Sequence, residues 1–305
     1  MTYKLKNVIT FIFFLTLIYL IIYNSKIVTY SVISSANIFF YKLFPSLIPF
    51  FILSEFLINY DFTYNINIII SKLLTFLFKI NPNSSYIIIL SLFSGLPSNA
   101  KFINDAYKDK VINSDEANKL LAFTFFPNPL FIINTIGTII FNSFQIGIKI
   151  LLSIYLSNFI LGFIIRNKYI SKDSNKIIKK QKLQFSETLK KSIINAFSSS
   201  MIILGSIVVF TTLYNLFLPI LPFNNLTNSI ILSFIEMTSG INTLASLNIT
   251  NNLKIILISA SICFTGLCVL SQAKSMLEFK INTKFIIMCR IIVIVINVII
   301  LKLII

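Results

Sequence analysis

The chain has 305 residues, of which 56% are hydrophobic and 12% are charged, and its formal net charge is +16. Soluble domains average about 25% charged residues, so this composition excludes an ordinary soluble protein and indicates a lipid environment. The sequence has no histidine, which removes the commonest general base and metal ligand. We therefore expect no enzyme, cofactor or metal site. We also expect no nucleic-acid partner, because the basic residues are not interleaved with exposed aromatic ones.

Apolar segments follow one another along the chain, and a spanning helix needs about 20 mainly apolar residues. There is room for about eight to ten hydrophobic segments, which predicts an all-α polytopic membrane protein. The first segment reads as a retained span, because no small-residue cleavage site follows it. Tyr86–Leu96 is short enough to be a half-span or part of a re-entrant hairpin. The predicted segments are Val8–Tyr23, Ala36–Asn59, Ile66–Ile80, Tyr86–Leu96, Ala117–Ile140, Phe144–Ile165, Ile193–Phe217, Ile230–Leu247, Leu253–Leu270 and Phe285–Ile305.

A basic stretch, residues 166–191, separates an N-terminal membrane half, residues 1–165, from a C-terminal half, residues 192–305. The positive-inside bias predicts that this stretch is a cytoplasmic loop and that Lys4 and Lys6 place the N-terminus on the same side. Six full spans between them, or four spans with two re-entrant hairpins, both satisfy this. Each half has an apolar helix, a glycine-containing break and a second interrupted span, a pattern by which many transporters build a binding site.

The clearest break follows a helix that starts at Asn113, because Asn113 and Glu116 have the spacing of a capping box. Pro127 ends that helix, and Asn128 and Pro129 are suited to start the next one. A helix N-terminus inside an apolar span has free N–H groups and a positive dipole end that favour an anion. The alternative is a proline kink that only shapes packing.

A second break lies at Gly95 and Pro97, where Ser98 or Asn99 can cap the following helix. Lys101 then falls in the first turn, where a cation opposes the helix dipole. This arrangement is favourable if an anion lies between the helix end and Lys101. The alternative is a lysine that extends to the membrane surface.

In the second half, Glu236 is flanked by apolar sequence and is followed by Thr238 and Gly240. A carboxylate in a span is costly unless it is paired or lies in a cavity. We expect Glu236 to couple transport to protons or to pair with Lys101 or Lys274. The alternative is that it lies in water at the end of a span.

Three further polar residues follow in the last two segments. Gln272 is expected to hydrogen-bond a carboxylate or a neighbouring helix, and Lys274 is expected to provide a second cationic contact. Arg290 is expected to anchor the last span at an interface. The candidate substrate contacts are Gly95, Pro97, Ser98, Asn99, Lys101, Asn128, Pro129, Glu236, Thr238, Gly240, Gln272 and Lys274.

These breaks also carry a resemblance to a known family. Their order and spacing, over about residues 40 to 280, resemble the sporulation integral membrane protein family called YlbJ or SpoVV, which carries nucleoside-recognition Gate segments. The chain departs from the family pattern at Leu96, where tyrosine is usual, at Asn99, where glycine is usual, and at 125–127, where the usual run is more polar. The matching motifs are Leu43–Phe51, Ser94–Pro97 with Ala100 and Lys101, Asn128–Ile132 with Gly137 and Thr138, Glu236–Thr238 with Gly240 and Ile241, and Gly266 with Gln272.

The resemblance implies a fold like that of the concentrative nucleoside transporters, with one Gate-like segment in each half. It implies a protein of the outer forespore membrane, or of the cell membrane, that moves dipicolinic acid during endospore formation. Dipicolinate is a small aromatic dicarboxylate, which agrees with an anion at the helix ends. A nucleoside-type transporter, which needs a more neutral polar lining, and a non-transporting sporulation scaffold stay open, as does an oligomer.

Overall fold

The computed structural model describes residues 2–59, 62–169, 184–220 and 223–305. Within these ranges the regular structure is entirely helical, and no β-strand occurs in them. The α-helices are α1 (Thr2–Tyr23), α2 (Ser25–Ile38), α3 (Phe44–Asn59), α4 (Phe62–Phe78), α5 (Ser85–Ser94), α6 (Ser98–Lys108), α7 (Ser114–Phe123), α8 (Phe144–Ile164), α9 (Phe185–Phe217), α10 (Asn225–Ile235), α11 (Met237–Ser246), α12 (Asn251–Phe264), α13 (Gly266–Ser275) and α14 (Thr283–Ile304). Two π-helical segments, Phe39–Leu43 and Phe131–Ile140, and two short 3₁₀ turns, Pro82–Ser84 and Leu218–Ile220, complete the set.

Five helical segments are long and apolar enough to cross a membrane, and a sixth is added if α4 and α5, bent by 109° at their junction, count as one span. The prediction of a polytopic helical membrane protein is confirmed. The predicted eight to ten segments resolve into fewer full-length spans because several of them are divided into half-length helices. The five are Ser25–Leu57, Phe144–Ile164, Phe185–Phe217, Asn251–Ser275 and Thr283–Ile304.

Two long helices differ from the predicted boundaries. The span predicted to begin at Ala36 begins at Ser25, because α2 continues through a π-helical turn into α3 despite Pro49 in the helix interior. Helix α9 begins at Phe185, so the last part of the predicted basic loop is helical. Its acidic Glu187 lies in the first turn, where it complements the helix dipole. Residues 170–183 of that loop lie outside the described residues.

The helices form an outer and an inner group. Helix α9 packs along α2 and α3 and is mostly exposed, with 22% of its apolar window buried. The α12–α13 segment is the most enclosed, with 61% of its window buried, and α14 packs against both α8 and α12. Hydrogen bonds from Asn297 on α14 to Ser153 at 3.0 Å and from Ser259 to Asn297 at 2.7 Å link these three inner helices, as polar side chains often do between membrane helices.

Helix α7 begins where the sequence predicts. The Asn113 side chain accepts a hydrogen bond from the Glu116 N–H at 2.8 Å, so it caps the helix. The Glu116 carboxylate contacts a neighbouring turn, where it accepts from the Asn81 N–H at 2.6 Å and from the Ser84 hydroxyl at 3.0 Å. The start of α7 is therefore fixed both locally and against the α4–α5 junction.

Candidate functional site

Four helices end inside apolar sequence, and a new helix starts within a few residues of each end. Backbone groups at such breaks must be satisfied by protein or by a cavity, because lipid offers no hydrogen bonds. The four breaks are α5 to α6, α7 to the π-helical segment, α10 to α11, and α12 to α13.

The breaks meet in pairs, one pair in each half of the chain. Gly95 has a φ of 72°, and a Cβ built on it would lie 2.5 Å from the backbone nitrogen of Asn128. Gly266 also has a φ of 72°, and its Cβ would lie 3.1 Å from the backbone nitrogen of Met237. Both positions require glycine, because the left-handed conformation and the close approach leave little room for a side chain. The first pair of breaks is therefore the one between α5 and α6 with the one that follows α7. The second pair is the break between α10 and α11 with the one between α12 and α13.

Asparagine side chains connect the first pair. The Asn128 side chain accepts from the Phe131 N–H at 3.1 Å and donates to the Phe93 carbonyl at 3.4 Å, so it caps one helix and contacts the end of another. Asn99, at the start of α6, donates to the Thr124 carbonyl at 3.1 Å. The predicted break and cap at Asn128 are confirmed, and the cap is a neutral amide.

In the second pair, a carboxylate caps the start of α11. Glu236 is 1% exposed and separates α10 from α11. Its two carboxylate oxygens accept from the Thr238 N–H at 3.0 Å and from the Ser239 N–H at 2.6 Å. The first-turn amides of α11 are therefore bonded to the chain's own carboxylate and are not free for an anionic solute.

Gly240 serves helix packing in this region. A Cβ on Gly240 would lie 2.1 Å from the Cα of Ser233, so α10 and α11 approach each other too closely for any larger residue. The Ser233 hydroxyl in turn accepts from Ser261 on α12 at 2.8 Å. Gly240 thus holds α10 and α11 together next to the second pair of breaks.

A cavity of about 50 Å³ lies between the two pairs; we call it the central cavity. Three of its lining side chains are polar and uncharged, namely Asn128, Thr238 and Gln272, and Pro97 lines it from the first break. A water molecule needs about 10–15 Å³ of such space, so the cavity has room for a few waters. An aromatic solute requires it to widen.

Gln272 presents an unsatisfied polar atom at this cavity. Its amide nitrogen donates to the Cys268 sulfur at 3.3 Å, while its carbonyl oxygen is buried without a hydrogen-bond partner. A buried polar group without a partner costs about 1–3 kcal/mol. A bound solute with a hydrogen-bond donor would remove that cost.

The two candidate lysines do not line the central cavity. Lys101 forms an ion pair with Glu55 on α3, and the other Glu55 oxygen accepts from Asn195 at 2.9 Å. Lys274 is exposed in the last turn of α13 and lines a separate pocket near Phe125. Glu236 takes part in neither of the two ion pairs found among the described residues, so its suggested pairing with Lys101 or Lys274 is wrong.

The last two candidates border the breaks of the first pair. Ser98 is the first residue of α6 and is half-buried. Pro129 is half-buried and precedes the π-helical segment. Both follow a break in the chain, as the sequence predicts. The predicted cap of α6 by Ser98 or Asn99 is wrong, because Pro97 occupies the N-cap position without a side-chain hydrogen bond and the Asn99 amide donates to Thr124 instead.

Arg290 is the residue for which the sequence interpretation was wrong. It is 0% exposed and lies well inside α14, whereas the sequence suggested an anchor at the membrane interface. A charge at the sixth residue of the predicted span Phe285–Ile305 was the available signal, because intramembrane charges normally face the protein interior. The residues that Arg290 contacts could not be predicted from the sequence.

Comparison with known proteins supports the family resemblance. The chain is 29% identical over 143 residues to the sporulation integral membrane protein YlbJ of Bacillus subtilis (strain 168). The match covers 47% of this chain and 35% of that relative, about a third of its length. No model of a protein family matches the chain, and no solved structure matches it. The name of this relative is that of the family which the sequence motifs resemble, so the comparison agrees with the resemblance.

Proposed function

We propose that this chain is a membrane transporter of a small solute, with dipicolinic acid as the leading candidate, carried across the outer forespore membrane during endospore formation. The sporulation role is taken from the name of its Bacillus subtilis relative. The observation that carries the transport proposal is the convergence of two pairs of helix breaks on one cavity.

Breaks of this kind favour a carrier over a scaffold. Interrupting a helix in lipid frees backbone groups, and each unsatisfied group costs several kcal/mol. Gly95, Asn128 and Glu236 are used to satisfy or shield such groups. Transporters use discontinuous helices to form solute sites, whereas a scaffold gains nothing from the arrangement.

The cavity walls define the chemistry of the solute. They are mainly apolar, with Asn128, Thr238 and Gln272 as neutral polar groups, and no Lys or Arg is among the described residues that line it. Such walls suit a planar aromatic ring with a few hydrogen-bonding groups. Glu236, next to the cavity residue Met237, would repel a dianion. Dipicolinate therefore enters with its charge compensated by protons, and Glu236 is the proton-accepting group.

The neutral lining favours a second candidate, a nucleoside-type transporter. Nucleosides are uncharged and carry a planar base with donors and acceptors. The unsatisfied carbonyl oxygen of Gln272 could accept from a base or ribose donor as readily as from a protonated carboxyl. Dipicolinate remains the leading candidate because it is the solute that the resemblance of the sequence motifs implies.

The test is uptake of labelled dipicolinate and labelled uridine into proteoliposomes containing the full chain. Gln272→Ala removes an amide at the cavity, and Gln145→Ala removes an exposed one as a matched control. We expect Gln272→Ala to raise the half-saturating dipicolinate concentration about 3–10-fold, the effect of one hydrogen bond, and Gln145→Ala to leave it unchanged.

The other outcomes discriminate among the functions. Uptake of uridine without dipicolinate would establish the nucleoside-type function. Equal kinetics in the two glutamine variants would remove Gln272 from the site. Absence of uptake of both solutes by correctly folded protein would contradict transport of these substrates and favour the scaffold.

A further inference from the structure

Arg290 contacts the ends of two broken helices at once. Its guanidinium donates to the Ala122 carbonyl, to the Cys263 carbonyl at 3.5 Å and to the Asn158 side-chain oxygen at 3.1 Å. Its Cζ lies 4.9 Å from the centre of the Phe125 ring, in cation–π geometry. These partners belong to three different parts of the inner helix group.

Both backbone partners are helix C-terminal groups. Ala122 lies in the last turn of α7, and Cys263 lies in the last turn of α12. The last four carbonyls of a helix lack intrahelical donors, and the C-terminal end carries the negative pole of the helix dipole. Helix α7 ends at a break of the first pair and α12 ends at a break of the second pair. Arg290 therefore links the two pairs.

The guanidinium is compensated by these dipoles and not by a carboxylate. Neither ion pair among the described residues includes Arg290. A fully buried charge is costly unless it is paired or well hydrogen-bonded. The two helix ends, the Asn158 oxygen and the Phe125 ring supply that compensation to the two terminal nitrogens and the guanidinium face, while Nε is buried without a hydrogen-bond partner.

In transporters with discontinuous helices, C-terminal ends of half-helices and unwound carbonyls coordinate the coupling cation. We propose that the Arg290 guanidinium occupies that position in this chain as a covalently attached cation. The two helix ends are then neutralised permanently, and solute flux does not require Na⁺. The statement on flux rests on the proposed transport function; the electrostatic role of Arg290 does not.

Glu236 supplies the complementary half of this arrangement. It places a negative group at the N-terminus of α11, while Arg290 places a positive group at the C-termini of α7 and α12. Three of the helix ends at the breaks are thus matched by charged side chains of the chain itself. A proton can still change the charge of Glu236, whereas arginine keeps its charge. Coupling to protons is compatible with this design, and coupling to Na⁺ at the helix ends is not.

The first experiment measures thermal unfolding of variants in nanodiscs. Arg290→Lys keeps a positive charge, Arg290→Met is neutral and similar in length, and Lys284→Ala removes an exposed charge from the same helix as the control. We expect Arg290→Met to lower the Tm by about 5–10 °C, Arg290→Lys to lower it clearly less, and Lys284→Ala to leave it unchanged. Equal losses for the lysine and methionine variants would overturn the role of the charge.

Chemical rescue provides an independent readout. Arg290→Ala leaves a space of guanidinium size, so millimolar guanidinium should raise its Tm, whereas the same concentration of urea, a neutral molecule of similar shape, should not. Rescue by both compounds, or by neither, would contradict a cation site. If Arg290→Ala does not fold, the comparison of the lysine and methionine variants decides.

The second experiment measures solute uptake by the wild-type chain with Na⁺ on both sides replaced by K⁺ or by choline. We expect equal initial rates in all three media. A strict requirement for Na⁺ would overturn the proposal. If the wild-type chain carries neither dipicolinate nor uridine, the transport function fails, and the unfolding and rescue measurements still decide whether Arg290 acts as the fixed cation.

Discussion

The two pairs of helix breaks share a close contact between a glycine and the backbone, and they differ in the charge of the residue that caps a helix start. Each pair uses a glycine with a φ of 72° to let one break approach the backbone of the other, Gly95 in the first and Gly266 in the second. The helix start of the first pair is capped by the amide of Asn128, and that of the second pair by the carboxylate of Glu236. The first pair therefore offers a solute constant polarity, whereas the second pair can change its charge.

Substitution of the two glycines tests the close contact that both pairs share and should give the largest effects on the free energy of unfolding. The missing Cβ would lie 2.5 Å from backbone at Gly95 and 3.1 Å at Gly266, while a Cβ at Gly205 on α9 would meet nothing within 4 Å. We expect Gly95→Ala to cost about 3 kcal/mol of unfolding free energy or more, and Gly266→Ala about 1–2 kcal/mol, from backbone strain and overpacking. Denaturation in a reversible detergent system measures both.

Gly205→Ala is the matched control. It should be neutral or slightly stabilising, because alanine is the better helix former by about 1 kcal/mol. A Gly95→Ala variant as stable as Gly205→Ala would show that the first pair of breaks is not in close contact.

Substitution of the two capping residues tests the difference in charge between the pairs. Glu236→Gln keeps a side-chain oxygen for the α11 amides and removes the titrating group, so uptake should persist and lose its dependence on pH. Asn128→Ala removes a neutral cap, so it should cost about 1 kcal/mol of stability and leave the pH dependence of uptake unchanged. Initial rates of dipicolinate uptake across a pH series measure both. The same pH profile in wild type and Glu236→Gln would show that the second pair is not the titrating element.

Caps and breaks could be predicted from the sequence because they are local. Asn113, three residues before Glu116, caps the helix that starts at Ser114, and Pro127 with Asn128 marks the interruption, as the residue types demand. The division of the second half at Glu236 was also signalled, by a carboxylate in an apolar run. Each of these features depends on a few neighbouring residues.

The partners of the charged groups could not be predicted, because they are set by tertiary packing. Lys101 meets Glu55, which is 46 residues away, and Arg290 meets Ala122, which is 168 residues away. Nothing near either residue in the sequence identifies these partners. The sequence also left open whether the amides at the start of α11 would be free, since a side chain at the N-cap can either bind them or turn away.

Two tethers to the long helix Ser25–Leu57 extend the comparison of the two pairs and should give the smallest effect. Lys101, which follows the first pair, forms an ion pair with Glu55, and Lys42 donates to the Asn242 side chain on α11, which follows the second pair. Both contacts join a half-length helix to the same outer span.

Lys101 is partly exposed, so the ion pair with Glu55 should contribute only about 1 kcal/mol of coupling in a double-mutant cycle of Lys101→Met and Glu55→Gln. The exposed pair Lys108–Glu278, treated the same way, should give no measurable coupling. The corresponding cycle of Lys42→Met and Asn242→Ala should match the Lys101 value if both pairs are tethered alike. A coupling for Lys101 and Glu55 no larger than that of Lys108 and Glu278 would contradict a tether at the first pair. That pair would then be positioned by its glycine and asparagine contacts alone, and the outer span would hold only the second pair.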